Sequence, residues 1–273
     1  RVAEHTLESI GRHAPTALPG VPAFFSALLD HPDLHKYDLS SLEVCMSGAA
    51  PLSPGLQSRW ERSTGLALVE GYGLSEAAPV THANPIGGGN RAGTIGLPLP
   101  STAARIVDPA GGTARLGVGE IGELIVRGPQ VMKGYWDRPE ETERVLRDGW
   151  LRTGDLAVAD DNGYFRIVDR IKDVILDSRG LNIYPSEVEG VLLQHPDVKE
   201  CAAVGVRARS EPGERLKVFV VLEEGRQTSV DELTAFCRDH LARYKNPQTI
   251  EIMDRLPRTR FGKVRRVALR SRG

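Results

Sequence analysis

Four charges in five residues, Asp169-Arg170-Ile171-Lys172-Asp173, stand between two apolar stretches at 164–168 and 174–176. A strand buried on both faces does not tolerate such a run, because each charge would lose its hydration without a sure partner. The chain must come to the surface here. The run reads either as an ordinary charged turn or as a hinge, residues 169–173, between two separately folded bodies. With 273 residues in all, each side is long enough to hold a domain.

Before the run, two textures follow one another. Residues 1–86 read as a region of α/β sheet. The spacing predicts a helix over 21–30, with Pro22 in its first turn and Phe24, Phe25, Leu28 and Leu29 on one side. A strand at 42–46 then runs into the small residues Ser47-Gly48-Ala49-Ala50-Pro51. Ser53 as cap and Pro54 at the first position open a second helix, which Gly65 closes. Another strand, 66–70, ends in Gly71-Tyr72-Gly73-Leu74-Ser75-Glu76. In open α/β sheets ligands lie beyond the carboxyl ends of strands, so these two loops are where a site is expected. Between 87 and 168, short apolar runs at 104–107, 123–127 and 151–157 are separated by Gly and Pro turns. They predict a small β-barrel or sandwich with one short helix near 139–146. Within this region Asp155 follows Gly154, as a turn former would.

Residues 174–273 predict a separate, compact α+β domain. Pro185 starts a helix in which Ser186 and Glu189 are spaced as a capping box, and strands follow at 201–206 and 216–222. Ser229 and Glu232 cap a further helix, 229–241, with Leu233, Phe236, Cys237 and Leu241 facing inward. The last stretch, 256–266, is strongly basic. In isolation it reads as a solvated tail or a nucleic-acid contact.

Charge as a whole gives no global footprint, though local basic patches remain compatible with it. Lys and Arg number 35 against 36 Asp and Glu, a net charge of -1, so no field drawing nucleic acid or an anionic membrane surface surrounds the chain. No apolar run approaches the ~20 residues that span a bilayer. Cys45, Cys201 and Cys237 are widely spaced, with no Cys-x-x-Cys, and read as reduced thiols of a soluble cytoplasmic protein. A homo-oligomer is compatible with this composition. Arg1-Val2-Ala3-Glu4 has neither an initiator Met nor a signal-type apolar core and reads as the start of a fragment.

Four motifs, in this order, resemble those of the adenylate-forming superfamily of acyl-CoA synthetases, luciferases and peptide-synthetase adenylation domains. GYGLSE at 71–76 resembles its Tyr-Gly-x-Thr/Ser-Glu motif, and LRTGDL at 151–156 its ribose-binding Thr-Gly-Asp. DRIKD at 169–173 resembles its hinge, and PRTRFGKVRR at 257–266 its lysine-bearing C-terminal motif. The resemblance implies a remnant of a large AMP-binding domain over 1–168, a hinge at 169–173 and a mobile C-terminal domain over 174–273. It also implies ATP, Mg²⁺ and CoA, acting on a fatty or related organic acid.

By the same resemblance, Gly48, Ala49, Ala50, Gly71, Tyr72 and Gly73 surround the nucleotide, with Tyr72 stacked on adenine. Ser75 contacts phosphate and Glu76 holds Mg²⁺. Asp155 accepts from the ribose hydroxyls, with Arg170 nearby. Lys263 faces the acyl-phosphate oxygen, Lys172 is the pivot, and the Gly180 loop lines the thiol tunnel. Two departures stand out. The run VILDSRGLNIY between Asp173 and Pro185 is one residue longer than the family's Ser-Gly-Gly form. No Thr-Ser-Gly-Thr-Thr-Gly-x-Pro-Lys loop precedes the site, so roughly the first 200 to 250 residues of a complete enzyme are expected to be absent. An adenylation domain that loads a carrier protein, or a noncatalytic nucleotide-binding module, are the alternatives.

Overall fold

Small residues and prolines set the element boundaries of the computed structural model, which describes residues 2–112, 114–207, 212–259 and 263–272. Helix α1 spans Val2–His13, strand β1 Ala17–Gly20, and helix α2 Pro22–Leu29. Next come β2 (Val44–Ser47), α3 (Pro54–Thr64), β3 (Leu68–Gly73), β4 (Val80–Ala83) and β5 (Leu97–Pro98). The sequence reading foresaw α2 from Pro22 and its apolar spacing, and α3 because both of its ends are chemically marked. Ser53 Oγ accepts the Leu56 N–H at 3.2 Å, Pro54 needs no donor at the first turn, and Gly65 takes the left-handed φ of 72° at the C-cap.

The opening helix α1 and strand β1 were not foreseen. Helix α1 is held by tertiary burial of Leu7 and Ile10, and β1 carries Pro19, which its edge position permits. Strands β1, β2 and β3 are parallel, whereas β4 and β5 add antiparallel, in the order β1-β2-β3-β4-β5. This sheet therefore extends past the Gly87-Gly88-Gly89 link that divides the two textures in the sequence. Phe25 and Trp60, both fully buried, meet edge to face with ring centroids 5.0 Å apart between α2 and α3. Burying a large apolar side chain contributes about 1.5–3 kcal/mol.

The barrel-like region is a half-barrel. Strands β6 (Ala103–Val107), β7 (Gly122–Arg127), β9 (Trp150–Ala159) and β10 (Phe165–Arg170) form one sheet in the order β10-β9-β7-β6. Helix α4 (Pro139–Val145) and the short β8 (Leu146–Arg147) lie between β7 and β9 in the chain, and β8 pairs with β9. Its core side carries Ile106, Leu124, Val126, Leu151, Ala157 and Phe165. Every second residue of β7 reaches it, as the two-residue period of a strand requires.

The chain divides into two compact units, residues 1–167 and 168–273. The charged run is more ordered than a loop: Asp169 and Arg170 complete β10, and Ile171–Asp173 form one turn of 3-10 helix. In the second unit β11 (Ile175–Leu176) pairs with β12 (Asn182–Ile183), and α5 covers Pro185–Leu192. Strands β13 (Val198–Arg207), β14 (Glu214–Leu222) and β15 (Thr249–Ile252) form a second sheet, joined by α6 (Val230–His240) and followed by α7 (Arg266–Arg270).

Strand β14 shows why this unit holds together. Val218 and Val220 pack with Val188, Leu192, Leu233 and Cys237 of α5 and α6, whereas Phe219 and Val221 pack with Leu256 and Leu269. Alternation thus buries both faces of one strand. The Ser229–Glu232 capping box on α6 is present, but the one expected at Ser186 and Glu189 is not. Pro185 takes the first helical position. The Ser186 N–H donates instead to Asp169 Oδ2 at 2.9 Å, and Glu189 is drawn to Arg266. Phe236 is half-buried and outside the core, stacked on His240.

Candidate functional site

The Thr153-Gly154-Asp155 motif is an extrusion of β9. Glu123 and Ile125 of β7 pair with Leu156 and Arg152, so that one residue of β7 faces three of β9. Gly154 supplies the left-handed φ of 72° that such a bulge needs. Thr153 Oγ1 donates to the Leu124 carbonyl at 2.7 Å and accepts the Asp155 N–H at 3.1 Å, while Glu123 Oε1 accepts the Gly154 N–H at 3.0 Å. Asp155 is therefore not a turn former in a loop. It is a carboxylate 8% exposed, held at the bulge of a strand, and it accepts the Tyr72 hydroxyl at 2.6 Å.

Tyr72 comes to Asp155 because β3 is longer than its sequence suggests. Gly71, Tyr72 and Gly73, expected in a loop after the strand, are its last residues, since β4 pairs with them. That pairing explains Gly73: a Cβ there would fall 1.9 Å from the Pro79 carbonyl oxygen. Gly48, in the loop after β2, lies against the same strand, and a Cβ on it would sit 3.4 Å from the Gly71 carbonyl oxygen. Ala49 holds a left-handed φ of 65°. The loop after β2 thus approaches the end of β3 at Gly48 and Gly71, and Tyr72, next in that strand, reaches Asp155. Ser75, exposed, begins a 3-10 turn that contains Glu76.

Three residues here escaped the sequence reading. Tyr135 donates its hydroxyl to Glu76 Oε1 at 2.7 Å, and this bond first, with burial second, raises the phenol's pKa to about 12. The pair borders a cleft of about 230 Å³ that continues along Glu123, Arg152, Thr153 and Gly154. His82 of β4 is fully buried, and burial pushes its pKa down to about 3, so a neutral imidazole sits between Tyr72 and Phe165. Glu70 closes the set. It was visible in the sequence as the polar end of an apolar strand.

Glu70 Oε1 accepts the Leu52 N–H at 3.3 Å and so pins the far end of the Gly48 loop. Burial raises its pKa from 4.5 to about 7, with the Leu52 bond opposing. The folded chain thus holds this proton more tightly than the unfolded chain. Glu70's contribution to stability is fully present below about pH 4.5 and lost as pH rises through about 7. Glu70→Gln keeps an acceptor and never ionises. It is expected to match wild type in melts at pH 5 and to exceed it at pH 8 by roughly 1–3 kcal/mol. Parallel pH profiles for the two proteins would contradict this.

The remaining sequence-derived residues belong to the second unit. Arg170 and Lys172 are exposed, the latter in the 3-10 turn. Gly180, at φ 79°, makes the turn between β11 and β12, where its N–H donates to the Asp177 carbonyl at 3.0 Å. Arg179 in the same turn folds back onto Asp177, with Nε at 3.0 Å and Nη2 at 2.7 Å from Oδ2. Lys263 is exposed, and the segments on either side of residues 260–262 pair with each other. Arg258 and Val264 bridge, Thr259 N–H donates to the Lys263 carbonyl at 2.8 Å, and Lys263 N–H reaches Thr259 Oγ1 at 3.2 Å. Residues 260–262 of the basic motif lie outside the described residues.

Known proteins fit this arrangement. The chain is 51% identical over 261 residues to the long-chain-fatty-acid–CoA ligase of Bacillus subtilis, covering 96% of this chain and 46% of that protein. It is 44% identical over 269 residues to the feruloyl-CoA synthase of an Amycolatopsis species, covering 97% and 53%. It spans about half the length of the curated relatives it matches. The crystal structure of ATP-bound MatB from Rhodopseudomonas palustris superposes with a TM-score of 0.91 at 35% identity, over 99% of this chain and 53% of that one. Residues 1–136 match the AMP-binding enzyme family and 187–263 match its C-terminal domain. With both matches in order along the chain, and the Tyr72–Asp155 pair and the Lys263 segment within or beside them, this chain belongs to the AMP-binding enzyme family.

Proposed function

We propose that the protein of which this chain is part is an AMP-forming ligase that joins a carboxylic acid of the fatty-acid or related organic class to CoA. The observation that carries the proposal is the buried Asp155 carboxylate at the β9 bulge, bonded to Tyr72 beside the Gly48-Ala49-Ala50 loop. A carboxylate so placed accepts both hydroxyls of a ribose, and the small residues of that loop admit a flat base against Tyr72. Arg170 adds a charged donor to the nucleotide. Relatives named for long-chain fatty acids and for ferulate support the acid class.

The first step joins a carboxylate oxygen to the α-phosphorus of ATP and breaks the bond to the β-phosphate oxygen, so that pyrophosphate leaves. Ser75 donates to a phosphate oxygen, and Lys263, a compact cation on a long stem, stabilises charge on the oxygens around phosphorus. Among the described residues no group of three or more His, Cys, Asp or Glu could hold a metal. Glu76 would hold Mg²⁺, which binds through as few as one or two carboxylates together with substrate phosphates. When bound, Mg²⁺ neutralises phosphate charge. In the second step the CoA thiol sulfur attacks the acyl carbon, its proton passing to solvent, and AMP leaves with the electron pair. The Gly180 turn is assigned to the path of that thiol.

Between the steps, the 3-10 turn at Lys172 acts as the pivot. Lys172→Pro fixes φ near −65° and removes a donor, and is expected to slow one half-reaction at least tenfold while the other changes little. Equal rates in both would remove the pivot from the account. The ligase reading itself is tested by acid-dependent pyrophosphate release in the full-length protein with free CoA or with a phosphopantetheinyl carrier protein. Turnover with CoA is expected. Turnover with the carrier alone would make the protein a carrier-loading enzyme, and AMP binding without turnover would make it a nucleotide-binding module.

A further inference from the structure

Two arginines follow Lys263 on one face of α7, three and seven residues on. Arg266 makes a two-point pair with Glu189 of α5, Nη1 to Oε1 at 2.6 Å and Nη2 to Oε2 at 3.0 Å, and Nη1 also donates to the Ala203 carbonyl at 2.6 Å. Both side chains are largely buried, at 23% and 15% exposed. Glu189 Oε1 accepts the Ala203 N–H at 2.7 Å as well, so this carboxylate ties α5, β13 and α7 together. Arg270, one turn on, donates through Nη2 to Asp173 Oδ1 at 2.9 Å and to the Lys172 carbonyl at 3.3 Å. Its Nε is buried without a partner among the described residues, so this end of the clamp is the less fully satisfied.

The clamp explains what the failed capping box at Ser186 and Glu189 is for. Ser186 N–H is taken by Asp169 and Glu189 by Arg266, so both residues serve the segments on either side of α5 rather than its own end. Among the described residues, the segments that pair beside Lys263 are held by the backbone bonds from Thr259 N–H to the Lys263 carbonyl and from Arg265 N–H to the Pro257 carbonyl, by the bond from Lys263 N–H to Thr259 Oγ1, and by the Arg258–Glu200 ion pair at 2.6 Å. The second of these segments runs directly into the Arg266 anchor. Surface ion pairs are worth little, but a desolvated, bidentate guanidinium–carboxylate pair with a further carbonyl contact fixes geometry, and removing one partner strands the other.

We propose that Arg266 is a positioning residue for Lys263, and that Arg270 ties the same anchor to the turn carrying Lys172. Neither arginine touches substrate in this proposal. Arg266 sets where the lysine segment starts, and Arg270 makes that start depend on the backbone at 172–173. The functional half of the inference rests on the ligase reading. The anchoring half does not, and the experiment separates them.

Hydrogen exchange is measured on Arg266→Gln and, should that variant fail to fold, on Arg266→Lys, which keeps the charge but loses the fork. The expected result is at least tenfold faster exchange at the amides of Thr259, Lys263 and Arg265, with those of β13 and β14 unchanged. Unchanged exchange at Thr259, Lys263 and Arg265 would overturn the proposal. In the full-length protein, Arg266→Gln is expected to slow acid-dependent ATP–pyrophosphate exchange at least tenfold. Conversion of supplied acyl-adenylate to thioester should change less than threefold, and there should be no further loss on a Lys263→Ala background. Equal losses in both half-reactions, or a loss that multiplies with that of Lys263→Ala, would make Arg266 merely structural. A wild-type protein without exchange activity would overturn the ligase reading, and the amide data would still decide whether the arginine anchors that segment.

Discussion

Lys263→Ala in the full-length protein is expected to slow acyl-adenylate formation by about 10²–10³-fold, the usual cost of removing one donor from charge that develops in a transition state. Thioester formation from supplied acyl-adenylate should stay within threefold of wild type. The asymmetry follows from chemistry. Negative charge gathers around phosphorus when the carboxylate attacks, whereas the thiol step builds charge on a carbonyl oxygen and releases AMP. Lys263 is exposed, and among the described residues its bonds to Thr259 run through its backbone, so its truncation strands no buried partner there. Loss of folding therefore does not confound the assay. A parallel fall in both half-reactions would show that Lys263 does not act through phosphorus.

Asp155→Ala should weaken AMP binding by about 1.5–3 kcal/mol, the worth of hydrogen bonds to a charged group. Two losses combine. The ribose loses its acceptor, and the Tyr72 hydroxyl, which donates to Asp155 at 2.6 Å, loses its partner. Asp155→Asn keeps an oxygen for Tyr72 but not the charge, and should fall between wild type and alanine. Calorimetric titration with AMP orders the three proteins. Unchanged affinity in Asp155→Ala would leave Asp155 a structural residue of the bulge.

How much of this was legible in the chain depended on distance along it. Helices α3 and α6 could be read because Ser53, Pro54 and Gly65, and Ser229 with Glu232, mark their ends within a few residues. Helix α5 shows the limit of the same rule: Ser186 and Glu189 have capping-box spacing, yet long-range partners, Asp169 and Arg266, outbid the local ones. Strand β4 carries only four residues, one of them a buried histidine, and no period can be seen in so short a run. It was this unseen strand that lengthened β3 and moved Gly71-Tyr72-Gly73 out of a loop.

The site divides in the same way. Gly48, Tyr72, Glu76, Asp155 and Lys263 could be named from motifs, each a short string of residues. Their pairings could not be: Tyr72 meets Asp155 across 83 positions and Glu76 meets Tyr135 across 59. Tyr135 and His82 are ordinary residues until folding places them. Glu70 had a signal, a lone carboxylate ending an apolar strand, and burial raising its pKa to about 7 is what that signal meant.

The central claim is that carbon–oxygen–phosphorus linkage to AMP precedes thioester formation, and isotope transfer tests it most directly. The full-length protein is supplied with ATP, CoA and an acid labelled with ¹⁸O in its carboxylate, and the products are analysed by mass spectrometry. Attack of a carboxylate oxygen on the α-phosphorus, followed by release of AMP from the acyl carbon, predicts one ¹⁸O in each AMP formed and none in pyrophosphate. Label in inorganic phosphate, or AMP free of label while thioester accumulates, would contradict the account.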